Sequence, residues 1–385
     1  MIRPDRLAGQ RVWVMAKGYA PDEGGMQTYA RGVAEAYATL GADVTVFSQT
    51  SLGPRDERVG PVRLIDIGAG KSIGVPFRLR GLLRRERNAQ GAPGLLHATT
   101  WRTSIPPLLA RLPFITTFHG REFMYGGRAT AAVLRLIARR ARHCVVVSHY
   151  SAMRLAERIP DLPAPPIVAW NGTAICPDLP ESEPGIPAGS GPLILSLCRL
   201  EPRKNILNAV DAAALCRDRG LDFRFVIGGR GPGLDAVKAR VEALGLGDRV
   251  HVLGFVDNAR ADALYHAADI FLHPQSTIDK GRDFEGFGIA IADAMLVGCA
   301  VIAGRDGGPA ELIEDGKDGL LVDGNDPQAI AAAMESLLRN ADQRTALAGR
   351  AHDKAMGCTW LRHVETVLDA IDLREGKRRE GNHLA

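Results

Sequence analysis

The sequence predicts an α/β protein built from two doubly wound domains, and three observations support this fold class. Short apolar runs rich in β-branched residues alternate with stretches that repeat apolar residues at helical spacing. The chain has 385 residues, a length that suits two domains better than one core. A segment dense in Pro, Gly and Ser, "CPDLPESEPGIPAGSGP" at 176–192, separates two such alternating series.

The first series opens with a strand, "RVWVMA" at 11–16, a Gly/Pro loop and a helix over 26–40. The helix is predicted because apolar side chains between Tyr29 and Leu40 form one stripe. The strands that follow are predicted at 42–48, 95–99, 114–119, 143–148 and 167–170.

The second series alternates in the same way, and a closing helical segment, "WLRHVETVLDAI", follows it. Its strands are predicted at 193–198, 223–229, 250–255, 270–274, 299–304 and 319–322, with helices near 205–219, 233–244 and 259–268 and after Glu285. The predicted organisation is an N-terminal domain (1–178), a linker (179–192), a C-terminal domain (193–358) and a C-terminal helix and tail (359–385) that cross back to the first domain. Because parallel sheets bind ligands beyond the carboxyl ends of their strands, two such domains facing a central cleft suit a two-substrate reaction.

Composition indicates a soluble cytoplasmic protein. Apolar residues make up 46% of the chain and charged residues 24%, and no apolar run reaches the roughly 18 residues of a membrane span. The first twenty residues carry charges throughout and lack a signal-peptide pattern. The six cysteines are scattered without CxxC or metal-ligand spacing, which predicts reduced thiols and no metal site.

The net charge of +4 is unevenly distributed. Residues 1–190 hold 24 Lys and Arg against 15 Asp and Glu, a balance of +9, and the remainder holds 24 against 29, a balance of −5. Arginines alternate with leucines at helical spacing at 78–87 and 135–142. These segments form either solvated faces or a surface for peripheral docking on the anionic inner face of a membrane. Aromatic residues are only 5% and no nucleic-acid module is present, so no nucleic-acid partner is expected.

Two loops carry groups suited to binding an anion. Gly24 and Gly25 directly precede the first helix, where backbone N–H groups are available to a ligand, although a tight turn would need the same residues. Arg199 and Lys204 follow the first strand of the second series. Arg can clamp phosphate with two hydrogen bonds and Lys provides a point charge, so a phosphate site and ordinary surface basic residues both remain open here.

The stretch "RDFEGFGIAIADAM" places two carboxylates, Glu285 and Asp293, around the start of a helix. Eight helical steps would separate them by roughly 12 Å, whereas glycosidase acid pairs lie about 5–9.5 Å apart. A hydrolase is therefore rejected. The spacing suits either a capped helix or one extended ligand held between the acids, with the amides of Phe287, Gly288 and Ile289 facing phosphate.

Three further features leave a choice open. His119 ends a predicted strand in "TTFHGREF" and is either a structural or a functional histidine. The glycines of "GGRGPG" at 228–233 make a turn or bring backbone close to another group. The glycines of "GRDGGPAELI" open a helix, where capping and ligand contact are both plausible.

These stretches together resemble the GT-B glycosyltransferases of family GT4, and in particular the bacterial GDP-mannose-dependent α-mannosyltransferases. The family's Glu–seven residues–Glu motif is matched by Glu285, with Asp293 in the second place, one methylene shorter. The family's diphosphate clamp is matched by Arg199 and Lys204, and its cleft histidine by His119. The Gly24–Gly25 pair matches the glycine loop ahead of the first helix, and "RLEPRK" and "STIDKGRDFEGFGI" suggest mannose as the sugar.

The resemblance implies a retaining, metal-independent hexosyltransferase that uses a nucleotide-diphosphate sugar as co-substrate and needs no further cofactor. Glu285 would hold the sugar hydroxyls, Asp293 the ribose, and backbone near Val256 the base. The acceptor would be a glycan or a lipid-linked precursor. The alternatives are a UDP-sugar-dependent transferase of the same family, a sugar-nucleotide epimerase, and a nucleotide-binding subunit without catalysis.

Overall fold

In a computed structural model of the protein, the described residues are 5–19, 22, 24–69, 74–180, 182–186 and 189–383. The chain divides into two compact units, residues 1–172 with 359–385 and residues 173–358. Each unit contains one sheet with helices, which confirms the predicted fold class of two doubly wound α/β domains.

The strands are β1 (Arg11–Met15), β2 (Asp43–Ser48), β3 (Arg55–Val59), β4 (Val62–Asp66), β5 (Leu95–Ala98), β6 (Ile115–Phe118), β7 (His143–Val146), β8 (Ile167–Val168), β9 (Leu193–Leu197), β10 (Arg224–Gly228), β11 (Val250–Gly254), β12 (Ile270–His273), β13 (Ala300–Gly304) and β14 (Leu320–Val322). The α-helices are α1 (Gly25–Thr39), α2 (Val75–Gln90), α3 (Ile105–Ala110), α4 (Arg121–Met124), α5 (Arg128–Arg140), α6 (His149–Arg158), α7 (Ile206–Asp218), α8 (Leu234–Ala243), α9 (Asn258–Ala267), α10 (Ile289–Leu296), α11 (Pro309–Leu312), α12 (Pro327–Arg339), α13 (Ala341–Ala355) and α14 (Trp360–His383). Short 3-10 turns lie at Arg102–Ser104 and Pro202–Lys204.

The sheet of the first unit has eight strands in the order β3-β4-β2-β1-β5-β6-β7-β8. The β3–β4 pair is antiparallel and the remaining pairs are parallel. Strand β1 is flanked by β2 on one side and β5 on the other, so the strand order reverses there and a ligand-binding edge is expected beyond β1 and β5. The β3–β4 hairpin was not predicted, because its charged first strand "RDERV" carries a weak apolar signal.

The last helix completes the first unit. Helix α14 packs on α1, and the ring of Trp360 lies so close to the α1 backbone that a Cβ atom on Gly32 would lie 2.2 Å from it. The helix extends from Trp360 to His383, well beyond the predicted segment "WLRHVETVLDAI". No helix among the residues that the structure describes is both long and apolar enough to cross a membrane.

The second unit has a parallel six-stranded sheet in the order β11-β10-β9-β12-β13-β14. Its core is made by fully buried side chains of the central strands, including Ile194, Phe225 and Leu272. Strand β9 lies between β10 and β12, so the strand order reverses between β9 and β12. The loops after these two strands therefore occupy the position where doubly wound sheets bind ligands.

The boundary between the units differs from the predicted one. The first unit ends at Gly172 and not at 178, and the predicted linker 179–192 belongs to the second unit. Side chains of α9 hold this segment and the residues just before it. Arg260 donates hydrogen bonds to the carbonyl oxygens of Pro184 and Gly185, and His266 Nε2 lies 3.0 Å from the Cys176 carbonyl oxygen. The composition rich in Pro and Gly predicted a linker between two domains but could not show that this segment belongs to the second unit.

Candidate functional site

A buried ion pair lies at the carboxyl edge of the second sheet. The Lys204 Nζ atom is 2.5 Å from Glu285 Oε2 and 3.1 Å from His273 Nε2. Lys204 ends the turn after β9, His273 ends β12, and Glu285 lies in the loop that follows β12. The strand reversal between β9 and β12 thus brings together two residues that the sequence predicted separately as ligand contacts.

The charges around Glu285 determine its ionisation. Burial alone would raise the pKa of this carboxyl, but Lys204, Arg203 and His273 lower its pKa to about 2. His273 is fully buried, and burial together with the positive charge of Lys204 lowers its pKa to about 3, so its imidazole is neutral. A neutral imidazole can accept a hydrogen bond from the Lys204 ammonium. The result is an ionised carboxylate beside an ammonium at neutral pH.

Arg203 is a site residue that the sequence reasoning missed. Its guanidinium forms an ion pair with Glu201 and lies 3.6 Å from both Asp283 and Glu285, and only 15% of its side chain is exposed. Burial lowers the pKa of Arg203, but the three carboxylates outweigh burial and leave it raised. Arg203 therefore joins the loop after β9 to the loop after β12. The sequence signal was the pair "RK" in "EPRKN", but spacing alone could not show which cation is buried.

Arg199 is placed differently from Lys204. It lies on the same loop, but 76% of its side chain is exposed, and its Nη2 atom is 3.2 Å from Glu201. Lys204 is 7% exposed. The predicted clamp thus consists of one solvent-facing guanidinium and one buried ammonium, and its role in binding phosphate stays a prediction.

The backbone of the loop 285–288 packs against the glycines of "GRDGGPAELI". The Gly308 N–H donates to the Glu285 carbonyl oxygen over 2.9 Å, and a Cβ atom on Gly308 would lie 1.9 Å from the Gly286 oxygen. Gly288, the residue directly before α10, has φ 93°, a conformation that favours glycine. Close backbone packing therefore explains these glycines, and the predicted amides of Phe287, Gly288 and Ile289 lie at the start of the eight-residue helix α10.

The glycines of "GGRGPG" have a similar explanation. A Cβ atom on Gly229 would lie 1.8 Å from the Cys198 oxygen, so this loop packs against the loop that carries Arg199. Beside it, the Arg230 guanidinium lies 3.8 Å from the ring centroid of Phe255, whose side chain is 49% exposed. This cation–π contact was not predicted from the sequence. It lies next to Val256, a half-buried residue whose backbone was predicted to contact the nucleotide base.

Asp293 has a partner that the sequence did not predict. Its side chain is 6% exposed, and its Oδ1 atom accepts hydrogen bonds from the backbone N–H groups of Ala174 (2.6 Å) and Ile175 (3.3 Å). Burial raises the pKa of Asp293 to about 7, although these two N–H donors lower it. Its predicted contact with a ribose stays a prediction. In the structure this carboxyl binds the backbone of Ala174 and Ile175, just after the unit boundary at Gly172.

The remaining predicted residues, Gly24, Gly25 and His119, belong to the first unit. Gly24 precedes α1 with φ 137°, and Gly25 is the first residue of that helix. His119 follows β6: its Nε2 atom lies 2.7 Å from the Thr99 carbonyl oxygen, and its backbone N–H donates to Glu122 over 2.7 Å. Across the described ranges, no cluster of three or more His, Cys, Asp or Glu side chains could hold a metal ion.

Comparison with known families identifies the class of this protein. Residues 23–173 match Glycosyltransferase Family 4, and residues 182–354 match Glycosyl transferases group 1. The two matches cover both α/β units. The chain therefore belongs to the GT4 family of glycosyltransferases.

Curated relatives include the GDP-mannose-dependent alpha-(1-6)-phosphatidylinositol monomannoside mannosyltransferase of Mycolicibacterium smegmatis, which is 33% identical over 240 residues. That match covers 61% of this chain and 62% of the relative, so it spans less than two thirds of that protein's length. The D-inositol 3-phosphate glycosyltransferase of Arthrobacter sp. (strain FB24) is 28% identical over 389 residues, which cover 91% of this chain and 90% of the relative.

Solved structures share the fold over nearly the whole chain. Sucrose-phosphate synthase from Thermosynechococcus elongatus superposes with a TM-score of 0.73 at 20% identity and covers 97% of this chain and 99% of its own. Anabaena HepE, solved with UDP and glucose, gives a TM-score of 0.70 at 18% identity, with 94% of this chain and 99% of its own covered. These similarities confirm the GT-B fold expected from the sequence.

Proposed function

We propose that this protein is a retaining hexosyltransferase that transfers mannose from GDP-mannose to a glycolipid or polysaccharide-precursor acceptor. The observation that carries the proposal is the contact between Lys204 and Glu285 at the strand-reversal point of the second sheet, with the exposed Arg199 on the same loop. This arrangement offers a carboxylate for sugar hydroxyls and two cations for a diphosphate. The M. smegmatis relative, named as GDP-mannose-dependent, supports the choice of donor.

The chemistry follows from where charge develops. As the bond between the sugar C1 and the phosphate oxygen breaks, its electron pair leaves with the nucleoside diphosphate, and Arg199 and Lys204 stabilise that anion. The acceptor hydroxyl oxygen bonds to C1 on the same face, and its proton passes to the departing phosphate oxygen. Loss of one preorganised contact of this kind costs about 3 kcal/mol, or some hundredfold in rate. The two cations supply the positive charge that a metal supplies in other transferases.

We assign the acceptor to the first unit, where His119 would orient a substrate. The basic residues 78–87 and 135–142 would place the protein on the anionic cytoplasmic face of a membrane, where lipid-linked acceptors are available. In α2, Phe77 is 58% exposed and the side chains of Arg78 and Arg84 face solvent. In contrast, Arg139 forms an ion pair with Asp161. We therefore assign the larger share of membrane binding to α2.

Thermal unfolding with GDP, UDP and ADP tests the donor. A ligand at about 100 times its Kd stabilises the folded state by about 2.7 kcal/mol, so the correct diphosphate raises Tm and the others raise it less. GDP is expected to give the largest shift, and Lys204→Ala should abolish it. Lys238→Ala, which changes an exposed lysine of α8, is the matched control. A larger shift with UDP would reassign the donor, and no shift with any diphosphate would contradict the proposed function.

A further inference from the structure

A chain of buried hydrogen bonds connects α14 to the sheet of the first unit. The Tyr29 hydroxyl is 2.8 Å from Thr117 Oγ1 and 3.0 Å from His363 Nε2, and His363 Nδ1 is 2.9 Å from the Trp170 carbonyl oxygen. The side chains of Tyr29, Thr117 and His363 are at most 1% exposed. The network therefore lies entirely away from water and joins three elements that are distant in sequence.

The hydrogen-bonded network continues along the buried face of α1. His97 Nε2 lies 2.8 Å from Thr117 Oγ1, and the Tyr37 hydroxyl lies 3.0 Å from His97 Nδ1. Both residues are fully buried. Burial lowers the pKa of His97 to about 3 and the pKa of His363 to about 4, so both imidazoles are neutral and each has one donor and one acceptor nitrogen.

The donor and acceptor of every hydrogen bond in this network then follow from the bond to the Trp170 carbonyl oxygen. A carbonyl oxygen only accepts, so His363 Nδ1 donates to Trp170 and His363 Nε2 accepts from the Tyr29 hydroxyl. The Tyr29 oxygen in turn accepts from Thr117. The Thr117 oxygen accepts from His97 Nε2, and His97 Nδ1 accepts from Tyr37. Each donor meets an acceptor, which fixes the Tyr29 ring in one place.

The imidazole of His119 packs against the fixed ring of Tyr29. The two ring centroids are 4.5 Å apart at an interplanar angle of 86°. His119 Nε2 lies 2.7 Å from the Thr99 carbonyl oxygen, which can only accept, so this nitrogen donates the hydrogen bond. Tyr29 thus sets the plane of the imidazole, and the Thr99 carbonyl oxygen holds its Nε2 atom.

We propose that Tyr29 and His363 are positioning residues for His119, so that α14 contributes to the reaction although it lies outside the loops of the site. This inference rests on the proposed function, in which His119 orients a substrate. A purely structural role is the competing explanation, because buried hydrogen bonds also stabilise a core. The two are separable, since Tyr37 belongs to the same network at its far end from the Tyr29–His363 bond.

The test compares His363→Leu, His363→Gln and Tyr37→Phe by steady-state kinetics with GDP-mannose. His363→Leu should lower kcat by about 10²-fold, the order of loss caused by a misplacement of about 1 Å, while KM for the donor changes little. His363→Gln keeps an acceptor for Tyr29 and should recover much of kcat. Tyr37→Phe removes a hydroxyl from a residue as buried as His363, so it should lower Tm without lowering kcat. Equal losses of kcat in Tyr37→Phe and His363→Leu would overturn the proposal.

A second readout needs no substrate. In protein labelled with ¹⁵N-histidine, the ring nitrogens of His119 report its tautomer and surroundings. His363→Leu should change these signals and Tyr37→Phe should leave them unchanged. Unchanged His119 signals in His363→Leu would overturn the positioning role even if the enzyme transfers another sugar. If the natural protein turns over no nucleotide sugar, the proposed function is wrong. The comparison of His119 signals still shows whether His363 and Tyr29 position the His119 ring.

Discussion

The Lys204 ammonium and the Glu285 carboxylate lie 2.5 Å apart, and both side chains are largely removed from water. A buried ion pair of this kind contributes little net stability, but loss of one partner leaves a buried charge without compensation. The loop after β9 and the loop after β12 therefore depend on each other electrostatically. A substitution chosen to stop catalysis at one residue will also affect folding through the other.

Lys204→Met should lower the free energy of unfolding by about 3–5 kcal/mol, because Glu285 then remains buried beside only Arg203. Urea unfolding at pH 7 measures this loss. The double variant Lys204→Met/Glu285→Gln should recover most of the stability and none of the sugar transfer. An unchanged stability in the single variant would show that the ion pair is not formed in solution.

Asp293 predicts a pH dependence. Its pKa is raised to about 7 in the folded protein, compared with about 3.9 in an unfolded chain. The stability that accompanies a raised carboxyl pKa is fully present below about pH 4 and is lost as the pH rises through about 7, by up to roughly 1.4 kcal/mol per pH unit. The free energy of unfolding should therefore fall between pH 5 and pH 7.5.

Asp293→Asn is the matched variant, since its amide oxygen can still accept from Ala174 and Ile175 but cannot ionise. Its unfolding free energy should vary less across this pH range and exceed that of the natural protein at pH 7.5. The same pH dependence in both proteins would contradict the assignment. Affinity for GDP, measured on the same variant, tests the separate prediction that Asp293 binds the ribose.

At the scale of the elements, helix α10 is preceded by Gly288, whose backbone conformation only glycine adopts easily. Gly288→Ala should lower stability by about 1–2 kcal/mol, because φ 93° places a Cβ atom in a disfavoured region. Gly349→Ala lies inside α13 with open space around its Cα and should raise stability by about 0.5–1 kcal/mol. Thermal unfolding of the two variants gives the signs, and equal signs would contradict this account of the α10 start.

The order of the elements could be predicted from the sequence because apolar periodicity is a local property. The strands "LILSLC" and "FRFVIGG" are found within one or two residues of their predicted limits. The glycine-rich loop after the second of these strands was also located, but the sequence could not show that its glycines pack against the Cys198 backbone. Arg203 and the network of Tyr29, by contrast, depend on contacts between residues far apart in sequence, which no local pattern encodes.

At the scale of the whole molecule, the sequence placed a surplus of nine positive charges on residues 1–190. Binding to vesicles with anionic lipid should be strong at low salt and weak at high salt, since charges in water are screened. The double variant Arg78→Glu/Arg84→Glu should reduce flotation more than Arg139→Glu/Arg142→Glu, whose arginines already form ion pairs with Asp161 and Glu375. Flotation that is insensitive to salt and to α2 would leave these arginines as solvated surface.

The domain boundary was the least predictable feature at this scale. Composition predicted a linker at 179–192, but the chain leaves the first unit at Gly172 and returns at Thr359. The Thr173 N–H donates to the Cys358 carbonyl oxygen over 3.0 Å, so the two ends of the second unit lie side by side. Such a pairing of distant chain segments is set by tertiary packing.

The return of α14 to the first unit has a consequence for biosynthesis. A ribosome makes residues 173–358 before it makes Trp360 and His363, so the second unit has its complete sequence while the first still lacks the helix that covers α1 and bonds Tyr29. The first unit, although most of it is synthesised first, therefore completes its folding after the second unit. A polypeptide truncated after Cys358 should resist protease in the second unit and be cleaved in the first.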